Sequence, residues 1–397
     1  MSRYHSYLNT AREILTLYNG EEPFASFLKK HFSQHKKFGS RDRKEIGNLC
    51  YSYFRLGKAA RSNSKDNSDQ PENSSDLEEK ILAGLFFCSD KQNDILSELK
   101  PEWADNVALP VSEKILSLNF SLSSVFHWKN ELNDGIDYEK FCVSFFVQPD
   151  LFLRIRPGKT EAVLLKLKES GIAYELATQS ALRLPNNFKA DLFFRLNDEV
   201  VVQDYSSQQV ARFLPVTPGQ AEHVWDCCAA SGGKSIMAYD LNPSMQLVVS
   251  DIRESILANL KKRFSLAGIK KYSSYKADLA HLPFNTNHSP FDIIIADVPC
   301  TGSGTWSRTP EQLFYFDARK IDEFAVLQKK IVSNAILNLA PGGHLVYITC
   351  SVFKKENEEV VAFIKKQFHL QLVKMELLKG YEMKADTMFV ALLQKQL

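Results

Sequence analysis

The chain has 397 residues, of which 44% are hydrophobic and 24% charged, a composition typical of a globular protein with more than one core. It contains no apolar run of the roughly 18 residues that cross a bilayer, so a membrane protein is not expected. Its seven cysteines, an odd number at irregular spacing, argue against a disulfide framework, and the first residues lead into a polar helix rather than a signal peptide. These features predict a cytoplasmic protein with free thiols.

Residues 1–60 are predicted to be helical, because apolar residues such as Ala11, Ile14 and Leu15 recur at helical spacing. This segment holds 11 Lys/Arg against 5 Asp/Glu, although the net charge of the whole chain is only +2. Such a basic segment suits a polyanion, and a solvated helical surface explains it equally well. Residues 61–76 are nearly all polar and are predicted to be a flexible insertion. Helical character resumes at 77–99 and continues to about 130, so residues 1–130 are predicted to form an all-helical domain.

The pattern changes near residue 149. A strand is predicted at 151–156, an amphipathic helix at 160–170 and short strands at 174–176 and 181–184, which together indicate a small α+β domain over 131–200. From 201 onward strands and helices alternate, which predicts an α/β domain with a doubly wound sheet over 201–397. Strands are predicted at 224–227 and 246–250, a third without set bounds before Asp278, and then at 291–296, 344–348, 370–374 and 387–393. The helices are predicted at 234–241, 254–266, 316–339 and 355–367. Ligands of such a sheet bind at the carboxyl ends of its strands.

A glycine loop follows the first of these strands, with the sequence Asp-Cys-Cys-Ala-Ala-Ser-Gly-Gly-Lys at 226–234. Its small residues allow the backbone to approach a ligand closely. A phosphate-binding P-loop is excluded, because it requires glycine where this chain has Cys228, and a dinucleotide-binding fingerprint is excluded because Gly-x-Gly-x-x-Gly is missing. By itself the loop is equally consistent with a tight turn.

Acidic residues follow the next two strands. Asp251 ends the second strand, where a carboxylate commonly holds ribose hydroxyls, and capping of the following helix is the alternative. Asp278 follows the third strand and is placed to meet an adenine amine, or to be an ordinary turn residue. The glycine loop and these two carboxylates at successive strand ends indicate a nucleoside site together.

Two cysteines follow the fourth and fifth strands. Cys300 lies in Asp-Val-Pro-Cys at 297–300, and Cys350 lies in Thr-Cys-Ser at 349–351. Because these strands are expected to be neighbours, both thiols are expected at one edge of the sheet, facing the glycine loop. Cys227 is predicted to be a core residue. No CxxC pair or histidine cluster is present in the sequence, so no metal site is expected.

These motifs resemble those of the Fmu/Sun-type, RsmB-like RNA cytosine-5 methyltransferases. The matching segments are Gln-Asp-Tyr-Ser-Ser-Gln at 203–208, the loop at 226–234, Asp-Val-Pro-Cys-Thr-Gly-Ser-Gly at 297–304 and Thr-Cys-Ser at 349–351. A weaker resemblance, through Arg-Asp-Arg at 41–43 and Leu-Cys-Tyr at 49–51, links residues 1–130 to NusB-like helical RNA-binding domains. The resemblance implies a Rossmann-like class I methyltransferase domain at 201–397. One departure is Ser231, which stands where the family usually has proline.

The resemblance also implies S-adenosylmethionine as cofactor. Asp251 would then bind its ribose, Asp278 its adenine, and Asp297 would lie between the cofactor and the target base. The methionine end of the cofactor would be held by Cys228, Ala229, Ala230, Ser231, Gly232, Gly233 and Lys234.

In this family the Thr-Cys cysteine is the nucleophile, which assigns that role to Cys350, and the Pro-Cys cysteine, here Cys300, assists product release. Lys234 is expected to orient the base, and Trp306 and Arg308 to contact RNA, although packing explains Trp306 equally well. The expected substrate is 16S rRNA, with tRNA as the alternative, and no obligate protein partner is expected. A non-catalytic RNA-binding assembly factor is a further alternative, and a DNA methyltransferase would exchange the roles of the two cysteines.

Overall fold

The structure, a computed structural model, describes residues 2–61, 74–281 and 290–397. Residues 62–73 of the insertion predicted at 61–76 lie outside the described residues, and its last residues, 74–76, are wrongly placed in it because they begin a helix. Within the described residues, no helix is both long and apolar enough to cross a membrane. The chain divides into two compact units: Met1–Asn130, Asp137–Gln148 and Trp306–Asp317 form the first, and Glu131–Ile136, Pro149–Thr305 and Ala318–Leu397 form the second. The domain boundaries predicted near 130 and 200 therefore stay predictions.

The α-helices follow the apolar spacing of the sequence through most of the chain. In chain order they are α1 (Arg3–Leu17), α2 (Phe24–Gln34), α3 (Ser40–Arg55), α4 (Ser74–Cys88), α5 (Asp94–Leu99), α6 (Pro101–Ala104), α7 (Val111–Ser117), α8 (Tyr138–Ser144), α9 (Thr160–Glu169), α10 (Ala190–Phe193), α11 (Tyr205–Gln209), α12 (Gly233–Leu241), α13 (Glu254–Leu266), α14 (Pro310–Tyr315), α15 (Arg319–Ile336) and α16 (Glu358–Phe368). Short 3₁₀ turns lie at Gly57–Ala60, Leu122–Ser124, Lys129–Glu131, Val210–Phe213, Ser303–Thr305 and Gly380–Met383.

The strands lie in the second unit. They are β1 (Leu151–Ile155), β2 (Glu175–Leu176), β3 (Ala181–Leu184), β4 (Val200–Val202), β5 (His223–Asp226), β6 (Gln246–Asp251), β7 (Tyr272–Lys276), β8 (Phe291–Asp297), β9 (Leu339–Thr349), β10 (Leu370–Leu378) and β11 (Met388–Lys395).

The first unit is a helical assembly with an aromatic core. The helix predicted at 77–99 is interrupted, because α4 ends at Cys88 and the Asn93 side chain caps α5 by accepting hydrogen bonds from the Ile95 and Leu96 amides. The single helix predicted at 316–339 is wrong. Its first residues belong to the segment 306–317, which packs in the first unit, and α15 begins only at Arg319.

Aromatic packing explains why the segment 306–317 lies in the helical unit. The ring of Trp306 is 1% exposed and lies 4.6 Å from that of Phe316 and 6.2 Å from that of Phe126. The buried Lys58 ammonium donates hydrogen bonds to the carbonyls of Phe314 (2.8 Å) and Phe316 (2.7 Å), at the end of α14. Trp306 is therefore a packing residue, and RNA stacking on it is not supported.

The second unit contains the predicted doubly wound sheet. Among the described residues seven strands pair in the order β10-β11-β9-β8-β5-β6-β7, with β7, β6, β5, β8 and β9 parallel and β11 and β10 antiparallel. Buried apolar residues cover both faces, as a parallel sheet requires. The chain runs outward from β5 to β7 and returns beside β5 as β8, so the strand order reverses between β5 and β8. Ligands of such folds bind at this reversal.

A small antiparallel sheet in the order β2-β3-β1-β4 precedes it, with α9 against it, as the α+β prediction requires. Ion pairs connect it to α12, a helix of the α/β domain. Asp240 accepts hydrogen bonds from the guanidinium groups of Arg154 and Arg156, both at 2.6 Å, and all three side chains are at most 12% exposed.

Candidate active site

The glycine loop makes the turn between β5 and α12. Gly232 has a φ of +85°, and a Cβ there would lie 2.7 Å from the Phe264 ring, so only glycine fits this turn without strain. Ala230 also has a positive φ, of 44°, and its amide donates to the Asp251 carboxylate at 3.0 Å. The conformation of the loop is thus fixed by Phe264 of α13 on one side and by Asp251 of β6 on the other.

A cavity of about 310 Å³ lies between this loop and the ends of β5 and β8. Seven of the predicted site residues line it, whereas Gly232, Asp251, Asp278, Cys300 and Cys350 are not among its lining residues. The lining comprises Val202, Gln203, Asp204, Ser207, Asp226, Cys228, Ala229, Ala230, Ser231, Gly233, Lys234, Arg263, Asp297, Asp386 and Met388.

An ion pair stands on one wall of the cavity. The Lys234 ammonium, on α12, lies 3.0 Å from the Asp297 carboxylate at the end of β8 and donates to the Ser207 hydroxyl at 2.8 Å. The Lys234 side chain is 9% exposed and that of Asp297 31%, so the carboxylate is the more accessible partner. This pair joins the glycine loop to the strand that leads to Cys300.

Asp226, at the end of β5, carries an unsatisfied buried oxygen. One carboxylate oxygen accepts the Ser235 hydroxyl at 2.5 Å, and the other has no hydrogen-bond partner although the residue has no exposed surface. Burial raises the pKa of Asp226 to about 7, and the hydrogen bond from Ser235 offsets only part of this effect. A cationic ligand group in the cavity would satisfy the second oxygen.

The two predicted reactive cysteines come together. The sulfur atoms of Cys300 and Cys350 are 3.2 Å apart, and both residues are half-buried. Gly304 permits this approach, since a Cβ there would lie 2.0 Å from the Thr387 carbonyl oxygen and 3.0 Å from that of Cys350. The hydrogen bond with Cys350 and burial raise the pKa of the Cys300 thiol, and the charge of Glu356 adds to the shift. Cys300 therefore holds its proton.

The two other predicted carboxylates bind locally. Asp251 is 7% exposed, and besides the Ala230 amide it accepts the Arg253 amide at 2.9 Å. Asp278 lies 2.8 Å from the ring of His281, and this hydrogen bond lowers its pKa. The turn considered from the sequence describes the contacts of Asp278. The capping alternative for Asp251 is wrong, because the N-cap of α13 is Arg253 and no side chain caps this helix. The ligand roles of both carboxylates stay predictions.

Other residues of the cavity were not predicted as site residues. Ser207 lies in the 203–208 motif, so the motif was the signal for it. Arg263 gave no signal, because it lies on an ordinary amphipathic helix. Its guanidinium donates to the Ser231 hydroxyl at 2.7 Å and to the Ser231 carbonyl at 2.9 Å. These bonds fix the loop at the position where the family usually has proline.

Residues 213–395 match the family model described as 16S rRNA methyltransferase RsmB/F. This match covers just under half of the chain, and it shows that this segment is similar to the RsmB/F methyltransferases. A curated relative, the ribosomal RNA small subunit methyltransferase B of Xanthomonas campestris pv. campestris, is 34% identical over 170 residues, which cover 42% of this chain and 38% of the relative. The chain thus matches well under two thirds of that relative's length.

Solved structures are similar to this chain over all or part of its length. The crystal structure of PH0851 has a TM-score of 0.70 at 20% identity and covers 100% of both chains. NSun6 from Pyrococcus horikoshii, solved with SFG, has a TM-score of 0.57 at 16% identity and covers 68% of this chain and 96% of its own.

Proposed function

We propose that this protein is an S-adenosylmethionine-dependent RNA cytosine-5 methyltransferase that acts on 16S rRNA through a covalent adduct with Cys350. The observation that carries the proposal is the pair of thiols 3.2 Å apart at the ends of neighbouring strands. A single thiol would be explained by packing, whereas two at the ligand-binding edge of the sheet suit addition and elimination at one base. The name of the curated relative supports rRNA over tRNA as substrate.

The cavity residues fit the proposed cofactor. The amides and small side chains of the loop leave room for its methionine end, and the orphaned oxygen of Asp226 offers an acceptor to an ammonium group. SFG, an S-adenosylmethionine analogue, accompanies NSun6 in its crystal, which is consistent with this choice. When bound, the cofactor supplies a methyl group carried on a sulfonium sulfur.

Different residues of the chain carry out the other steps of the reaction. Carbon 5 of cytosine is a poor nucleophile, and addition of the Cys350 thiolate at carbon 6 makes it enamine-like. Negative charge develops at the ring nitrogen N3 as Cys350 adds, and the Lys234–Asp297 ion pair is proposed to supply the proton or the hydrogen bond that stabilises it there. A base then takes the carbon 5 proton, and the electrons of that carbon–hydrogen bond re-form the double bond between carbon 5 and carbon 6. The carbon–sulfur bond breaks at the same time, and Cys350 leaves with its electron pair. Cys300, which keeps its proton, donates a hydrogen bond to that leaving thiolate.

Covalent trapping tests the assignment. Wild type, Cys300→Ala and Cys350→Ala are incubated with labelled S-adenosylmethionine and either small-subunit rRNA or tRNA, and adducts are resolved on denaturing gels. We expect an rRNA adduct that accumulates in Cys300→Ala, because release is slowed, and that is lost in Cys350→Ala. Cys88→Ala, a change in the helical unit, is the control and should behave as wild type.

Other results would redirect the proposal. An adduct lost only in Cys300→Ala would indicate the DNA-methyltransferase assignment of the nucleophile. Transfer to tRNA only would overturn the substrate. Label transferred without either cysteine would mean methylation at nitrogen or oxygen. Cofactor binding without any transfer would favour the assembly factor. Because the proposed substrate is ribosomal RNA, we expect the protein to act in the cytoplasm.

A further inference from the structure

Glu356 lies in the polar segment Lys-Glu-Asn-Glu at 355–358, which in sequence resembles a solvated helix start. In the structure Glu356 has no exposed surface. Burying a carboxylate is unfavourable unless hydrogen-bond donors compensate for the lost water. The residues that donate hydrogen bonds to the Glu356 carboxylate therefore show which parts of the chain it holds together.

Four donors surround the carboxylate, and three of them come from the loops that carry the thiols. One oxygen accepts the hydroxyls of Thr301 and Ser351, both at 2.6 Å. The other accepts the Thr301 amide and the Gln328 side-chain amide, both at 2.9 Å. Thr301 directly follows Cys300, and Ser351 directly follows Cys350. One carboxylate thus binds both loops a single residue beyond each thiol.

The surrounding residues fix Glu356 itself. The buried Tyr347 hydroxyl donates to its carbonyl at 2.6 Å. Gln328, also fully buried, donates to the Pro299 carbonyl at 3.0 Å, so Gln328 and Glu356 hold the Cys300 loop from both sides of the cysteine. A carboxylate anchored at its backbone and saturated at both oxygens has little freedom to move.

We propose that Glu356 is a positioning residue whose carboxylate fastens the Cys300 loop to the Cys350 loop and thereby sets the separation of the two thiols. This inference rests on the proposed function, in which Cys300 must reach the leaving Cys350 sulfur. Without the carboxylate the two loops would keep only their direct contacts, among them the Ser303 and Ser351 hydroxyls at 3.2 Å and the Gly304 amide on the Cys350 carbonyl at 2.8 Å. They would be held less tightly at Thr301 and Ser351. The effective concentration of one thiol at the other would then fall, although both cysteines would still be present.

The equilibrium between the two thiols and their disulfide reports this separation directly. Wild type and Glu356→Ala are equilibrated with glutathione buffers, without RNA or cofactor. One glutathione disulfide is consumed and two glutathione molecules are released for each Cys300–Cys350 disulfide formed. The linked peptide is quantified by mass spectrometry. We expect the effective concentration of the thiols to fall at least tenfold in Glu356→Ala, which raises the reduction potential of the pair by about 30 mV.

Three further variants make the test specific. Glu356→Gln retains an acceptor for the Thr301 and Gln328 amides, and its own amide can donate to the two hydroxyls, so its equilibrium should stay within about threefold of wild type. Glu359→Ala, directly after this segment, removes an exposed carboxylate that accepts no described hydrogen bond from either cysteine loop, and it should change nothing. Ser351→Ala removes the tie to the Cys350 loop and should shift the equilibrium in the direction of Glu356→Ala, and it decides the question if Glu356→Ala fails to fold.

An unchanged thiol equilibrium in Glu356→Ala, or in Ser351→Ala where that variant decides, would overturn the proposal. Because the measurement requires no methyl transfer, its failure is distinguishable from a failure of the proposed function. If both proposals hold, Glu356→Ala also accumulates RNA adduct as Cys300→Ala does, because Cys300 no longer reaches the leaving sulfur, and Glu356→Gln restores release.

Discussion

Asp226 shows how a single buried residue links the fold to pH. Its ordinary pKa of 3.8 is raised to about 7 by burial, so the folded state retains a proton that the unfolded chain has already released. The contribution of this group to stability is therefore full below about pH 4 and is lost as the pH rises towards 7, because the native state must then hold a buried charge. The Lys234–Asp297 pair nearby does not remove this cost, since neither group donates to Asp226 in the described structure.

Asp226→Asn should remove this pH dependence while keeping an acceptor for Ser235. We expect its free energy of unfolding, relative to wild type, to rise between about pH 4 and pH 7, by at most about 4 kcal/mol over the full pKa difference. Urea denaturation of the cofactor-free protein across this range measures the difference. Asp134→Asn, the same exchange at an exposed aspartate, is the control. Parallel curves for wild type and Asp226→Asn would show that Asp226 is ionised without penalty.

Two glycines of the site should differ in how much stability the protein loses when each is replaced by alanine. An added Cβ at Gly304 would meet backbone oxygens of Thr387 and Cys350, which cannot move aside without disrupting β11 or the end of β9. At Gly233, the first residue of α12, no atom lies within 4 Å of an added Cβ, and the backbone is not left-handed. The glycine is thus required for packing at one position and only for ligand space at the other.

We expect Gly304→Ala to lower the free energy of unfolding by about 1–3 kcal/mol, the usual cost of overpacking, or more because the obstructing atoms are backbone. Gly233→Ala should fold with wild-type stability but bind S-adenosylhomocysteine more weakly, because the methyl group projects into the lining of the cavity. Thermal denaturation and titration calorimetry measure the two effects. Equal stability of both variants would mean that the cysteine loops can separate without cost.

The sequence predicted helices and strands well where local periodicity determines their type and bounds. The helix predicted at 254–266 is α13, and the strand predicted at 291–296 is β8 within one residue. It failed at 316–339, because Phe316 packs in an aromatic cluster of the helical unit that no local pattern reveals. Within the site, the reactive residue types were predictable from their loops. Glu356 was not, since its donor Thr301 lies 55 positions away along the chain.

At the scale of the whole molecule, charge is distributed unequally. Residues 1–60 carry an excess of six positive charges, whereas the rest of the chain sums to −4. Basic side chains of this segment stand on and before α3: Lys36, Lys37, Arg41 and Lys44. The proposed substrate is a polyanion, and phosphate contacts release counterions, so such side chains would supply affinity that weakens with salt. The NusB-like resemblance of residues 1–130 suggests the same role for this surface.

Neutralising these four side chains to glutamine should weaken rRNA binding and flatten its salt dependence, with the slope of log K against log[salt] falling by about 0.7–0.9 for each phosphate that the variant no longer neutralises. Cofactor affinity should not change, because none of the four lines the cavity. The control removes four exposed charges from α13 and α16, by glutamine substitution of Lys261, Lys262, Lys365 and Lys366. Filter binding at several salt concentrations distinguishes the two sets. If both sets of variants bind rRNA equally weakly, net charge drives the binding; weaker binding in the first set alone locates the RNA-binding surface on the helical unit.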